Sequence, residues 1–143
     1  MTGRRAMQAP RLLQPDMHAV LAFSALPLFL GAMLSDWAYA SSYEVQWTNF
    51  ASWLIAGGLV FAGVALLWAA VDVLRSSATR HRGGAIYLLL LLASFVLGFI
   101  NALVHAKDGW AAMPVGMVLS VVVLLLAAAA SAAGLAALRR RTA

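Results

Sequence analysis

The side chains able to do chemistry fall into two groups. One holds Asp16, His18, Asp72 and His81; the other holds Asp36, Asn101, His105 and Asp108. Imidazole and carboxylate together suit a divalent cation, and two imidazoles on separate helices suit the axial positions of haem b. His18 and His81 are therefore candidate cofactor ligands. Asp16 and Asp72 would complete a metal site, or accept the ring N–H groups of the two histidines. A plainer reading competes: Asp16 suits a helix N-terminus, and Asp72 precedes Arg75 by three residues, a spacing at which opposite charges pair on a helix. In the second group Asn101 and His105 stand one helical turn apart, so both can face Asp36. Such a polar clasp would pin helices together by hydrogen bonds, or would mark an ion or proton path. The clasp is the expected role, since Asp36 and His105 fall close to a membrane interface.

The elements that position these groups follow from composition. The chain has 143 residues, 64% hydrophobic and only 10% charged, with a mean hydropathy of +0.88. A soluble domain carries about 25% charged residues, so a water-soluble globule is excluded, and so is a disordered chain. The absence of cysteine excludes disulfides, thiolate metal sites, thiol catalysis and attached c-type haem. There is no Gly-rich phosphate loop, no His-Glu-x-x-His helix and no nucleophile elbow, so no enzyme activity is expected. No cofactor is expected either, unless the first group binds haem b or a divalent metal.

Crossing the hydrocarbon takes about 20 apolar residues in a helix, and four stretches qualify. The predicted class is all-α: a polytopic membrane protein of four spans in an antiparallel up-down bundle. The spans run over about 17–39, 50–74, 83–105 and 113–138, between an N-terminal tail (1–16) and a basic C-terminal tail (139–143). The fourth is the longest and is expected to tilt or to start only after Pro114. Short connections suit antiparallel neighbours.

Basic residues set the orientation. Arg4, Arg5 and Arg11 precede the first span, Arg75, Arg80 and Arg82 separate the second and third, and Arg139, Arg140 and Arg141 follow the fourth. Lys107 alone lies on the other side, with Asp36, Glu44 and Asp108. The positive-inside rule then places both termini in the cytoplasm. It also explains the pI of about 10.8 without nucleic acid, and leaves as partners the lipid bilayer and a second copy or a membrane complex. Trp37, Tyr39, Tyr43, Trp47, Trp53 and Trp110 form an aromatic belt at the outer interface. Ala38-Tyr39-Ala40 before Ser41 imitates a signal-peptidase site, but the apolar run before it exceeds the roughly 7–15 residues of such signals. A retained first span is expected.

Packing in lipid relies on small residues. The second span carries Gly58, Ala62, Ala65 and Ala69 at helical spacing, the third Ser94, Gly98, Asn101 and His105, and the fourth Ser120, Ala127, Ser131 and Gly134. The first offers Ser24, Gly31 and Ser35, with a kink expected at Pro27.

Several segments resemble the bacterial membrane-protein family called domain of unknown function 2231. Pro15, His18, Leu26-Pro27 and Asp36 are similar to its opening Pro-x-His segment and its first helix with Phe-Pro and a final Asp. The Pro–His spacing is one residue wider here, and Leu26 replaces the Phe. "ASWLIAGGLVFAGVALLWAAVDVL" resembles its second helix, with Asp72 at the acidic position. "HRGG" at His81 and "GFINALVHAKDGW" around Asn101 resemble the third helix and its loop, and "MPVGMVLSVVVLLL" the start of the fourth. The Gly-Trp-x-Gly-Gly ending of the family is absent. The resemblance implies a four-helix inner-membrane protein and draws attention to His18, Asp72, His81, Asp36 and Asn101, but it implies no activity. The leading expectation is a non-catalytic small membrane protein or accessory subunit. The alternatives are a haem- or metal-binding redox component using His18 and His81, and a minor ion or proton path through Asp36, Asn101 and His105.

Overall fold

The computed structural model describes residues 17–75 and 82–142. They form α1 (Met17–Ser42), α2 (Val45–Arg75), α3 (Arg82–His105), a single turn α4 (Gly109–Ala112) and α5 (Val115–Thr142). Four of these helices are long and apolar enough to cross a membrane: Val20–Ser42, Val45–Val71, Gly84–His105 and Val115–Ala136. The four-span, all-α architecture expected from hydropathy is the one observed, and the fourth span starts directly after Pro114.

The helices stand in a ring in which α1 packs on α2, α2 on α3, α3 on α5 and α5 back on α1. α1 and α3 are thus diagonal partners that meet only through side chains reaching across the centre. Two antiparallel hairpins set the register. On α1, buried Ala22, Ala25, Phe29, Ala32 and Asp36 mirror buried Ala65, Ala62, Gly58, Ile55 and Ala51 on α2 about the turn at Tyr43 and Glu44. Gly58 is where this pairing is closest: a Cβ there would stand 2.6 Å from Cε1 of Phe29, so only glycine admits that ring. The α3–α5 hairpin obeys the same rule, with Tyr87 against Gly134, Gly98 against Val123, and Asn101 bonded to Ser120.

Two apolar clusters fill the axis. Nearer the arginine end lie Ala22, Ala65, Ala69, Tyr87, Leu91 and Ala130; next come Ala25, Phe29, Ala62, Val123 and Ala127. The dominance of alanine is what lets these helices approach closely where burial from water gives no help. The stripe expected on α2 does face inward, with Ala62 and Ala65 essentially inaccessible and Leu67 67% exposed.

Two expectations are adjusted. α2 begins five residues before its predicted start at 50, so the α1–α2 connection is two residues rather than about ten. Its first turn, Val45 to Thr48, is polar and aromatic yet helical, because Trp47 N–H donates to Glu44 O and the Thr48 hydroxyl to Val45 O. Apolarity marks the hydrocarbon, not the helix. Tyr43 makes the tight turn feasible by adopting the left-handed conformation (φ 57°) that closes a helix C-terminus, its N–H donating to Tyr39 O at 2.8 Å. On α1, Ser24 and Gly31 are only half-buried, and the inward stripe runs instead through Ala25, Phe29 and Ala32. Ser24 and Ser35 each satisfy their hydroxyl on their own helix, at Val20 O and Gly31 O, and need no neighbour. Pro27 lies inside α1 and is exposed.

Candidate functional site: a buried polar clasp

At the Lys107 end of the bundle the apolar layers give way to four polar side chains from three helices. Asp36 comes from α1, Asn101 and His105 from α3, and Ser120 from α5; their residue exposures are 0, 1, 7 and 2%. The His105 ring is placed by its own helix, where Nδ1 lies 3.0 Å from the Asn101 carbonyl oxygen one turn back. This aims Nε2 across the bundle to Oδ1 of Asp36 at 2.8 Å. The second carboxylate oxygen, Oδ2, accepts the Ser120 hydroxyl at 2.5 Å, and that hydroxyl in turn accepts from Asn101 Nδ2 at 2.9 Å. One carboxylate thereby ties α1 to both α3 and α5. The contact between Asp36 and His105 closes the diagonal of the ring here.

Room for the imidazole comes from Gly116, one turn before Ser120 on α5. A Cβ at that position would stand 2.7 Å from Cε1 of His105. The Asn101 amide oxygen is buried without a hydrogen-bond partner, as are the hydroxyls of Ser94 and Ser131 further along the bundle.

Of the two α3 residues expected to face Asp36, His105 contacts it directly and Asn101 reaches it only through Ser120. Asp108 does not join them: the residue is exposed at the start of α4, where its carbonyl accepts from Ala111 and Ala112. The expectation of easy solvation near the interface also fails, because Asp36 is fully withdrawn from solvent. It lies on the inward face of α1, and Tyr39, Ala51 and Ala112 are also buried at this end of the bundle. Ser120 and Gly116 are the members that sequence reasoning left out of the site. Asp16 and His81 of the other group lie outside the described residues, and the side chains of His18 and Asp72 are likewise not described. Among the described residues no three His, Cys, Asp or Glu side chains converge as a metal site.

Chemically, the order of contacts is Asn–Ser–Asp–His. A serine nucleophile needs a base on its hydroxyl with a third group behind that base, whereas here both ring nitrogens of His105 are engaged away from Ser120. A lipid-facing recess of about 320 Å³ runs along the α1–α5 seam, lined by Met33, Trp37, Met117, Val118, Val121 and Val122. It is apolar, and no clasp side chain lines it.

The family described as "Predicted membrane protein (DUF2231)" matches residues 14–141, nearly the whole chain, and the protein belongs to it. No curated protein and no solved structure shows significant similarity.

Proposed function

We propose that this member of the DUF2231 family is a non-catalytic accessory protein of the bacterial inner membrane, a bundle locked by its clasp and serving a second copy or a larger membrane complex. The supporting observation is that Asp36, His105, Ser120 and Asn101 bond chiefly to one another and are buried to more than nine-tenths. Side chains so engaged hold helices in place; they present no free nucleophile to a substrate. Polar contacts of this type in lipid contribute about 1 kcal/mol each, enough to fix one arrangement among several apolar ones. The orientation with both termini cytoplasmic rests on the nine arginines against the single Lys107.

The test joins spectroscopy to stability. Protein expressed with haem and metals supplied should purify colourless and metal-free, and Asp36→Asn should lower its unfolding midpoint in detergent. A Soret band or stoichiometric metal that disappears with His18→Ala would replace this reading by the redox one. Reporter fusions at positions 45 and 108 should read periplasmic, and those at 78 and 143 cytoplasmic; a periplasmic C-terminus would reverse the orientation.

A further inference from the structure

The clasp contains one hydrogen more than its ordinary ionic forms supply. A neutral imidazole carries a single N–H, and an ionised carboxylate is an acceptor only. Nδ1 of His105 faces a backbone carbonyl, also an acceptor only, at 3.0 Å, and Nε2 faces Asp36 Oδ1 at 2.8 Å. With one ring hydrogen and an ionised Asp36, one of these two contacts would set lone pair against lone pair. Ser120 cannot relieve it, because its single hydrogen lies on Oδ2. Both contacts are made only if an additional proton lies between Oδ1 and Nε2. The pair is then neutral as a whole, either as imidazolium with carboxylate or as imidazole with carboxylic acid. Without that proton it leaves a net charge of −1 in a site screened from water, which is costly in a low-dielectric interior.

We propose that Asp36 and His105 form a proton-binding site that exchanges with water at the Lys107 end of the bundle and is sealed from the arginine end. Loading adds one proton to the Oδ1–Nε2 contact; unloading returns it to water and leaves carboxylate against a bare ring nitrogen. Access is short on one side. His105 is the last residue of α3, and Ala106, Lys107 and Asp108 beyond it are all exposed. The other side is closed. Leu59 and Val123 cover Gly98 one turn below Asn101, and Phe29 lies on Gly58. The next polar side chain on that face of α3, Ser94, is seven residues from Asn101, about 10.5 Å along the axis and too far for one hydrogen-bonded hop.

Other titratable groups at this end are few. Tyr39 is buried on α1, while Tyr43 and Glu44 in the α1–α2 turn and Lys107 and Asp108 before α4 are exposed. α2 brings none between Val45 and Val71, α4 none, and α5 none between Val115 and Leu138. The site is thus one carboxylate and one imidazole acting together. This goes beyond the accessory reading and does not depend on any partner.

The experiment uses the full chain in liposomes, in one orientation, with His18→Gln and His81→Gln so that the labelled His105 is the sole imidazole. At neutral pH, nitrogen NMR should show a doubly protonated ring, or infrared spectroscopy a buried carboxylic acid that Asp36→Asn removes. A singly protonated ring together with an ionised Asp36 would overturn the proposal. Raising pH on the Lys107 side alone should abolish the signature, and raising it on the arginine side alone should leave it intact. A response to the arginine side, or proton flux above that of protein-free liposomes, would overturn the seal. The nitrogen NMR and one-sided pH readouts are made on the intact clasp, so they do not depend on whether Asp36→Asn folds, and absence of a partner complex would leave them unchanged.

Discussion

The two ends of this bundle are held by different physics. Toward the arginines, helices meet through alanine and through rings fitted against glycine, Phe29 on Gly58 and Tyr87 on Gly134, so volume decides what is accepted. Toward Lys107, they meet through four polar atoms groups that serve only in one geometry. The apolar half is specific in shape and tolerant in chemistry; the polar half is the reverse. In lipid this division matters, because apolar surfaces gain little from leaving a solvent as apolar as themselves. Shape alone brings helices close, and a buried carboxylate with two donors decides which helices those are.

Substitutions can break this contrast in graded steps. Asp36→Leu should have the largest effect, since it strands Nε2 of His105 and the Ser120 hydroxyl at once. A loss of about 2–4 kcal/mol is expected, between a broken buried pair in a soluble core and single bonds in lipid. Unfolding in mixed micelles measures it, and a loss within error of wild type would dissolve the distinction between the halves. In the apolar half, Ala65→Leu should cost about 2–3 kcal/mol by overpacking, while Leu67→Ala on the lipid face should cost under about 0.5 kcal/mol. Equal tolerance at both positions would mean that small residues do not set this interface.

Gly116→Ala sharpens the comparison, because it intrudes on the polar half by shape. It should cost about 1–2 kcal/mol in wild type, through displacement of the imidazole, and far less beside His105→Ala. An unchanged cost in the double variant would show that Gly116 serves something other than the ring. The smallest effect belongs to Asn101→Ala. It removes one donor bond to Ser120 but also an amide oxygen buried without a partner, so the net change should stay within about 0.6 kcal/mol. A loss several times larger would show that the amide oxygen has a role that the donor bond does not explain.

Much of this was legible in the residues, for identifiable reasons. Four apolar stretches, divided by the turn at Glu44, the arginines 75–82 and Lys107, define four spans, because hydrocarbon thickness leaves no other length. Asn101 and His105 point to Asp36 because polar groups inside a span turn inward. Ser120 and Gly116 were harder, since a serine and a glycine in a fourth span look like ordinary close packing. A usable signal existed in hairpin symmetry: Asn101 with Ser120 and His105 with Gly116 are equidistant from the short α3–α5 connection, as are Tyr87 and Gly134. Folding the chain back on itself at Trp110 and Ala111 pairs them. The early start of α2 had no hydropathy signal, because its first turn is helical by backbone bonding in a polar zone. The inward face of α1 was misread by one position, since hydroxyls taken as interhelical contacts are spent on their own helix.

The distance of the clasp partners along the chain also bears on how the protein is made. Asp36 belongs to the first span, yet His105 and Ser120 follow it by 69 and 84 residues. At a synthesis rate of about 5–20 residues per second, those partners emerge roughly 3–17 s after the carboxylate has left the ribosome. During that interval Asp36 lacks its two clasp partners. Closure of the clasp therefore waits for the fourth span, and a chain truncated before Ser120 leaves Oδ2 of Asp36 without its donor.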